Sequence, residues 1–147
     1  MTRRRSSLAL SLVLLAWTLP AVADAPPGRY TFPATGTAYD TRTRLTWQRA
    51  VDAGSYDQDA AQDHCATLSL AGAGWRLPTL RELRTLVDPL NANPAIDPTA
   101  FPNTPPTQFW TVSANGNSPD QQYVVSFADG STSALYHLYS LRVRCVR

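Results

Sequence analysis

The sequence predicts an α+β domain, because two short helical patterns lie between an N-terminal hairpin pattern and a C-terminal run of strand patterns. A second observation is the cysteine pair, Cys65 and Cys145, which are the only two in the chain and lie 80 positions apart. A third is an N-terminal export signal, since two lone cysteines in an oxidising compartment pair by default. We therefore predict one domain that is closed by a Cys65–Cys145 disulfide.

The export signal consists of a basic start, an apolar stretch and small residues. Arg3, Arg4 and Arg5 precede the apolar residues 8–19, and an Ala21-x-Ala23 cleavage pattern follows. The apolar stretch is shorter than the roughly 20 residues that span a bilayer. We predict a signal peptide over residues 1–23, a lead-in segment over 24–36 and one domain over 37–147, with no membrane insertion after cleavage.

Charge and export restrict the partners and the location of the cleaved chain. All thirteen basic residues are Arg, and cleavage would leave ten of them against eleven acidic residues. This near-neutral charge does not support nucleic-acid binding or a polybasic membrane surface. The expected location is extracytoplasmic, which covers the periplasm, the cell surface and the medium.

The N-terminal part of the domain begins with a hairpin pattern. Thr37–Asp40 and Leu45–Arg49 have the composition of two short strands, and the turn lies over Thr41–Thr43. Trp47 in the second strand is expected in the core. The hairpin supplies the first strands of the predicted fold.

Two capping-box patterns predict the helices. Ser55 is expected to cap a helix that runs to about Leu68, with Gln58 bonding back to the cap. Thr79 is expected to cap a second helix of about nine residues, with Glu82 as its reciprocal partner. Both helices precede the longest irregular stretch of the sequence.

That stretch, residues 89–119, contains seven prolines and five asparagines around the apolar run Phe109–Val112. Its composition predicts a long Pro/Asn-rich loop around one strand. The loop has too few apolar residues to be expected in the core. Because long loops in compact domains are often functional, this one is a candidate binding surface.

Strand patterns occupy the rest of the chain. Gln122–Phe127 alternates, and Asp129-Gly130 is a strong hairpin turn. In the last predicted strand Leu141, Val143 and Cys145 share one face, while Arg142 and Arg144 share the other. The order of the elements is therefore hairpin, two helices and a strand meander.

Several blocks of sequence resemble the Lcl C-terminal domain family, which occurs in bacterial secreted and surface proteins. The most specific are Gly74-Trp-Arg-Leu-Pro-Thr79 and Val143-Arg-Cys-Val-Arg147, supported by Leu45-Thr-Trp-Gln48. The resemblance runs from about Tyr39 to Arg147. It implies a C-type-lectin-like α+β fold, in which a disulfide from the first helix to the final strand is a hallmark. The cysteine placement agrees with that fold.

Two departures limit what the resemblance implies about function. No collagen-like Gly-x-y tract precedes the domain, so a trimeric, multivalent architecture is not expected. The Glu-Pro-Asn, Gln-Pro-Asp and Trp-Asn-Asp motifs of calcium-dependent lectins do not occur, and Thr111 and Val112 after Trp110 offer no carboxylate. Calcium-dependent sugar binding is therefore not predicted.

Catalytic and metal-binding interpretations have weak support. His64 and Cys65 occupy consecutive helix positions, which point about 100° apart, so the disulfide explains Cys65 better than a nucleophile does. The two histidines, His64 and His137, have no cysteine cluster with which to bind zinc. Glu82 is accounted for by helix capping, and Arg76 by hydrogen bonds to carbonyl groups. We expect no enzyme activity, cofactor or metal.

The predicted function is that of a secreted, lectin-like binding or adhesion module that recognises a polysaccharide or a protein without calcium. Polar and aromatic side chains of the loop region and meander are the candidate ligand-binding residues: Asn115, Asn117, Asp120, Gln121, Tyr136, His137 and Tyr139. The alternative for the tyrosines is half-buried packing in a sheet. The alternative functions are an envelope component with no ligand of its own, and an enzyme of the formylglycine-generating-like fold group, for which the chain has no spare cysteine.

Overall fold

The computed structural model describes residues 26–147, so the predicted signal peptide lies outside the described residues. The two helices are α1 (Gln58–Thr67) and α2 (Leu80–Arg84). The strands form two antiparallel sheets of three, in the orders β1-β2-β3 and β4-β5-β6. The predicted α+β class is confirmed, although the notion of a single small sheet is too simple. The six strands have the bounds β1 Tyr30–Thr31, β2 Thr37–Asp40, β3 Leu45–Gln48, β4 Gln108–Asn115, β5 Ser118–Ser126 and β6 Thr132–Tyr136.

The first sheet is built on the predicted hairpin. β2 pairs with β3 from Thr37 opposite Gln48 to Asp40 opposite Leu45. The turn closes with a hydrogen bond from the Arg44 N–H to the Asp40 carbonyl, at 2.8 Å. β1 pairs with β2, so Tyr30 and Thr31 of the predicted lead-in segment are hydrogen-bonded to this sheet.

The N-cap of helix α1 lies two residues later in the sequence than predicted. Asp57, not Ser55, is the N-cap, and its carboxylate accepts the Ala60 N–H at 2.8 Å. The reason is Tyr56, whose N–H and carbonyl both bond to Leu141. This bridge holds Tyr56 in extended backbone, so a helix cannot include it.

Helix α2 has the predicted capping box and a shorter body. The Thr79 hydroxyl accepts the Glu82 N–H at 3.2 Å, and the Glu82 carboxylate accepts the Thr79 N–H at 2.8 Å. The regular helix ends at Arg84 because Val87 forms an antiparallel bridge with Ile96. The predicted length of about nine residues is therefore wrong.

The Pro/Asn-rich region divides into two parts. Residues 89–107 are irregular, whereas residues 108–119 lie in β4, in the turn after it and at the start of β5. The expectation that the region contributes nothing to the core is wrong, because Ile96 and Phe101 are fully buried. They pack with Trp47, Phe109 and other residues in one core cluster. A few apolar residues at separated positions are enough to anchor a long irregular segment.

The last seven residues, 141–147, form what we call the closing segment. It was predicted as one strand, yet it pairs with both sheets through isolated bridges. Thr46 of β3 exchanges two hydrogen bonds with Arg147, and Trp110 of β4 donates to the Arg142 carbonyl at 3.0 Å. Because the segment changes partner along its length, no regular strand forms. It ties the two sheets together.

The disulfide lies in the second core cluster. Cys65 of α1 is bonded to Cys145 of the closing segment, as predicted. Both half-cystines are fully buried, and the cluster around them includes Trp75, Trp110 and Val124. The bond therefore joins α1 to the segment that connects the sheets.

Candidate functional site

The seven predicted ligand-binding residues lie together at one end of the second sheet. Asn115 ends β4 and Asn117 lies in the β4–β5 turn, where its N–H donates to the Asn115 side chain at 3.2 Å. The Asn115 amide in turn donates to the Gln121 side chain at 3.0 Å. Gln121 is paired across the strands with Tyr136. The turn and the end of β6 therefore form one continuous surface, which we call the hairpin-end surface.

His137 and Tyr139 complete this surface just after β6. The His137 N–H donates to the Asp120 carbonyl at 3.0 Å, and its carbonyl accepts the Gln58 N–H at 2.9 Å. The Tyr139 N–H donates to the Tyr136 carbonyl at 3.1 Å, which closes a tight turn. The main chain of this region is thus anchored to both β5 and α1, while its side chains vary in exposure.

The hairpin-end surface carries exposed rings. Tyr136 and Tyr139 are each 54% exposed, so the interpretation of these tyrosines as half-buried sheet packing accounts for only part of each ring. Leu138 between them is 74% exposed and was not among the predicted residues. Its sequence signal, an apolar residue between two aromatic ones in a turn, was available. Amphipathic rings with a free face suit stacking on a sugar or contact with a protein.

A second polar cluster was missed by the sequence analysis. The Asp52 carboxylate accepts a hydrogen bond from the Tyr56 hydroxyl at 3.0 Å, and the His64 Nε2 lies 3.3 Å from the same oxygen. The Tyr56 and His64 rings are 4.6 Å apart. Arg142 donates to the carbonyls of Asp52 and Gly54, both at 3.0 Å. Partial burial, followed by the Asp52 hydrogen bond, raises the pKa of Tyr56 above its ordinary value.

A large cavity among the described residues lies elsewhere and contains none of the seven residues. It has a volume of about 560 Å³, and its walls include Arg29, Arg42 and Arg84 beside Tyr30 and Leu90. We call it the arginine groove. Within residues 26–147, neither Arg42 nor Arg84 forms an ion pair or a side-chain hydrogen bond. The two free guanidinium groups make this groove the main cationic alternative to the hairpin-end surface.

The third arginine of the groove is used by the fold. Arg29 pairs with Asp40 at 2.9 Å and donates to the Thr85 carbonyl at 2.6 Å. Burial alone would raise the pKa of Asp40, but hydrogen bonds from Arg29 and the Arg42 N–H hold it below its ordinary value. Arg29 therefore holds α2 against the first sheet, and its guanidinium group is already occupied by contacts within the fold.

The residues that carry the family resemblance are structural. Arg76 forms two hydrogen bonds with Glu82, at 2.8 and 2.7 Å, rather than the predicted bonds to carbonyls alone. The Trp75 indole donates to the Leu70 carbonyl at 2.9 Å, and the Arg147 guanidinium lies 5.0 Å from its ring centre. Val146 bridges both Trp47 and Arg76. These motifs join α2, the closing segment and the first sheet.

Arg144 is the least expected member of these motifs, because its side chain is fully buried. It donates to the carbonyls of Gln48 and Arg49 at 2.7 and 2.8 Å and to the Thr104 hydroxyl at 2.6 Å. Its guanidinium also lies 4.7 Å from the Phe101 ring centre. Burial lowers the pKa of Arg144 to about 9, so the group remains charged at neutral pH. No carboxylate among residues 26–147 forms an ion pair with it.

Metal and thiol chemistry have few groups to use in the described part of the chain. Among residues 26–147, no three His, Cys, Asp or Glu side chains are grouped so as to hold a metal ion. Cys65 is disulfide-bonded, as predicted, so its thiol is not a free nucleophile beside His64. No helix in the described range is long and apolar enough to span a membrane.

The fold and its motifs define a disulfide-bonded α+β module of the kind found in secreted and surface proteins. Residues 36–147 match the model of the Lcl C-terminal domain. The chain therefore belongs to the Lcl C-terminal domain family, as the sequence resemblance predicted. No curated protein matches the chain. The disulfide and the family together fit an extracytoplasmic protein.

Proposed function

We propose that this chain is a secreted or surface binding module with a C-type-lectin-like fold, and that it recognises a polysaccharide or a protein through the hairpin-end surface. One observation carries the proposal: seven polar and aromatic residues are gathered at one end of the second sheet, with two tyrosine rings half exposed. The family supports the binding role, because its members are modules of secreted and surface proteins.

The chemistry of the surface favours recognition by hydrogen bonds and ring stacking, without calcium. Asn115, Asn117 and Gln121 supply neutral amide donors and acceptors, and Asp120 is the only carboxylate among the seven residues. Calcium sites in proteins use several oxygen ligands, usually with more than one carboxylate. Binding through neutral groups has a weak dependence on ionic strength.

The binding role is preferred to the two alternatives for specific reasons. A purely structural module has no need to expose Tyr136, Leu138 and Tyr139 side by side. A thiol-based enzyme of the formylglycine-generating-like fold group needs a cysteine outside the Cys65–Cys145 bond, and the sequence has only those two.

The test uses a glycan array and an unbiased pull-down with the folded, oxidised protein. For the strongest binder found, the triple variant Tyr136→Ala, His137→Ala and Tyr139→Ala is compared with wild type. We expect affinity to fall by about tenfold or more, since each lost ring removes roughly 0.5 to 1.5 kcal/mol of contact. The thermal midpoint should change little, because Tyr136 and Tyr139 are each about half exposed in the folded protein.

The matched control is the double variant Arg42→Gln and Arg84→Gln, which changes only the arginine groove. It should bind like wild type, and raising the salt from about 0.05 to about 0.5 M should weaken wild-type binding only slightly. If the double variant loses binding, and wild-type affinity is lost at moderate salt, the binding site is the arginine groove and not the hairpin-end surface. If neither the glycan array nor the pull-down finds a binder, the alternative of an envelope component with no ligand of its own is favoured.

A further inference from the structure

Strand β6 is the uncovered edge of the second sheet. In the order β4-β5-β6 its outer side has no neighbouring strand among residues 26–147. The other long edges are covered, because the closing segment bonds to β3 and to β4, and the Pro78 carbonyl accepts the Val112 N–H of β4 at 2.8 Å. Edge β1 is only two residues long. An open strand edge is a template for pairing with another strand.

The main-chain groups that face outward from β6 can be identified. The Ser126 N–H donates to the Ser131 carbonyl, and the His137 N–H donates to the Asp120 carbonyl. Hydrogen bonds alternate between the two sides of an antiparallel strand, so residues 131, 133, 135 and 137 face β5. The main-chain N–H and carbonyl groups of Thr132, Ala134 and Tyr136 therefore point away from β5, toward the open side of β6. Among the described residues, only one of their outward groups, the Tyr136 carbonyl, has a partner, which is the Tyr139 N–H.

Natural edge strands are protected by charge, proline, bulges or short length, and β6 has only the last of these. Residues 131–140 contain no Asp, Glu, Lys, Arg or Pro. The pairing with β5 is regular from Val125 opposite Thr132 to Gln121 opposite Tyr136. The exposed Tyr136 and Leu138 lie at the end of this edge.

We propose that β6 pairs with β6 of a second copy of this chain, antiparallel and centred on Ala134, to form a continuous six-stranded sheet. A two-fold axis at Ala134 brings the two Ala134 residues opposite each other and Thr132 opposite Tyr136 of the second copy. Every outward-facing residue of β6 then has an outward-facing partner. The two Ala134 residues exchange two hydrogen bonds, and each Tyr136 N–H donates to the Thr132 carbonyl of the other copy.

A second copy is the occupant that the sequence of the edge favours. Self-pairing places identical residues on both sides of the axis, so any charge near the centre would meet a like charge. β6 has none. Stable protein–protein interfaces of standard size bury roughly 1,200 to 2,000 Å² of surface. An isologous contact of one five-residue strand and its flanking rings buries less surface than this, so the dimer is expected to depend on protein concentration. Dimerisation needs no ligand, although its interface includes Tyr136 of the hairpin-end surface.

The first experiment measures the mass of the purified, oxidised protein by sedimentation equilibrium from about 10 µM to about 1 mM, a range suited to a small interface. The wild-type mass should rise toward that of a dimer. Ala134→Lys and Ala134→Glu should each remain monomeric, since each variant opposes two like charges across the axis. An equimolar mixture of the two should dimerise again, because the charges are then complementary. Ser69→Lys, an exposed charge outside the edge, is the control and should behave as wild type.

The second experiment needs no variant and serves if a substitution prevents folding. Amide hydrogen exchange at Ala134 and Tyr136 should slow as the concentration rises, because these N–H groups become bonded only in the dimer. Exchange at Ser133 and Leu135, which face β5, should not depend on concentration. If the wild type is still monomeric at about 1 mM, the highest concentration measured, the proposal is overturned. Dimerisation of both single variants, a mixture that stays monomeric, or exchange that slows equally at all four residues would also overturn it.

Discussion

The two edges of the second sheet are treated in opposite ways. At the β4 edge the closing segment bonds to Gln108 and Trp110, and its side chains at 143–146 are all buried. At the β6 edge no strand follows within the described residues, and Tyr136, Leu138 and Tyr139 are exposed. The residues that identify the family lie in the closing segment, in β3 and in the segment before α2, where they maintain the fold. The exposed rings that could contact another molecule lie at the open β6 edge.

The largest expected effect is loss of the disulfide at the covered edge. Cys65→Ser should lower the free energy of unfolding by about 2 to 5 kcal/mol, the usual cost of removing a native disulfide from a small secreted domain. Urea unfolding monitored by tryptophan fluorescence measures it. The double variant Cys65→Ser and Cys145→Ser controls for the unpaired thiol. Two alkylatable thiols in the native wild type would contradict the bond itself.

Arg144→Ala should cost about 3 kcal/mol, as other large truncations in a core do. The change leaves a cavity beside Phe101 and removes the donors to Gln48, Arg49 and Thr104. Arg144→Met keeps most of the side-chain volume and removes the buried charge, so it should cost less. Denaturant unfolding of both variants separates packing from hydrogen bonding. Equal losses in the two would mean that the hydrogen bonds account for the whole effect.

Thr79→Ala should weaken α2 by about 1 kcal/mol, because the Thr79 hydroxyl satisfies the Glu82 N–H at the helix start. Chemical denaturation provides the measurement, and Thr79→Ser, which keeps the hydroxyl, is the control. If Thr79→Ala and Thr79→Ser were equally stable, the cap would have no energetic role.

Acid should weaken the same corner of the molecule. The hydrogen bonds from Arg76, together with those from Thr79, lower the pKa of Glu82 from 4.5 to about 2, despite partial burial. Because the folded pKa lies below the unfolded one, the stabilisation is complete above pH 4.5 and is lost as the pH falls toward 2. The wild-type free energy of unfolding should therefore fall over this range more steeply than that of Glu82→Gln. Parallel pH profiles would show that Glu82 is not the responsible group.

The smallest effect is expected at the open edge. Leu138→Ser should change the free energy of unfolding by less than about 0.5 kcal/mol, as exposed substitutions usually do. Leu138 is 74% exposed, so little apolar area returns to water on unfolding. Thermal unfolding beside Val143→Ser, a buried position of the closing segment, tests the contrast. A comparable loss in both variants would remove the distinction between the two edges.

Local signals account for the parts of the fold that the sequence predicted well. The β2–β3 hairpin and the Thr79–Glu82 capping box each depend on residues a few positions apart. The disulfide followed from the cysteine count and the export signal. The same local logic misplaced the start of α1, because the bridge between Tyr56 and Leu141 joins residues distant in sequence.

The remaining features depend on long-range packing that no local pattern encodes. Alternation placed Arg144 on the face opposite Cys145, as for an ordinary strand, but both faces of the closing segment are covered. Ile96 and Phe101 were hidden in a Pro/Asn-rich stretch, where composition predicts loop and not core. At the candidate site, the seven residues were predicted because they are polar or aromatic and lie in the loop region and the meander. The Asp52–His64 contact could be found only after α1 had been placed.

The closing segment also determines when several contacts of the fold can form. It supplies the outer partner of β3 and of β4, the buried Arg144 and the half-cystine that bonds to Cys65. All of these contacts join residues far apart in sequence, so the entropy of closing large loops must be overcome before they form. A growing chain that lacks residues 141–147 lacks the segment that pairs with the outer side of β3 and of β4. The Cys65–Cys145 bond and the contacts that tie the two sheets together therefore cannot form until these residues have been synthesised.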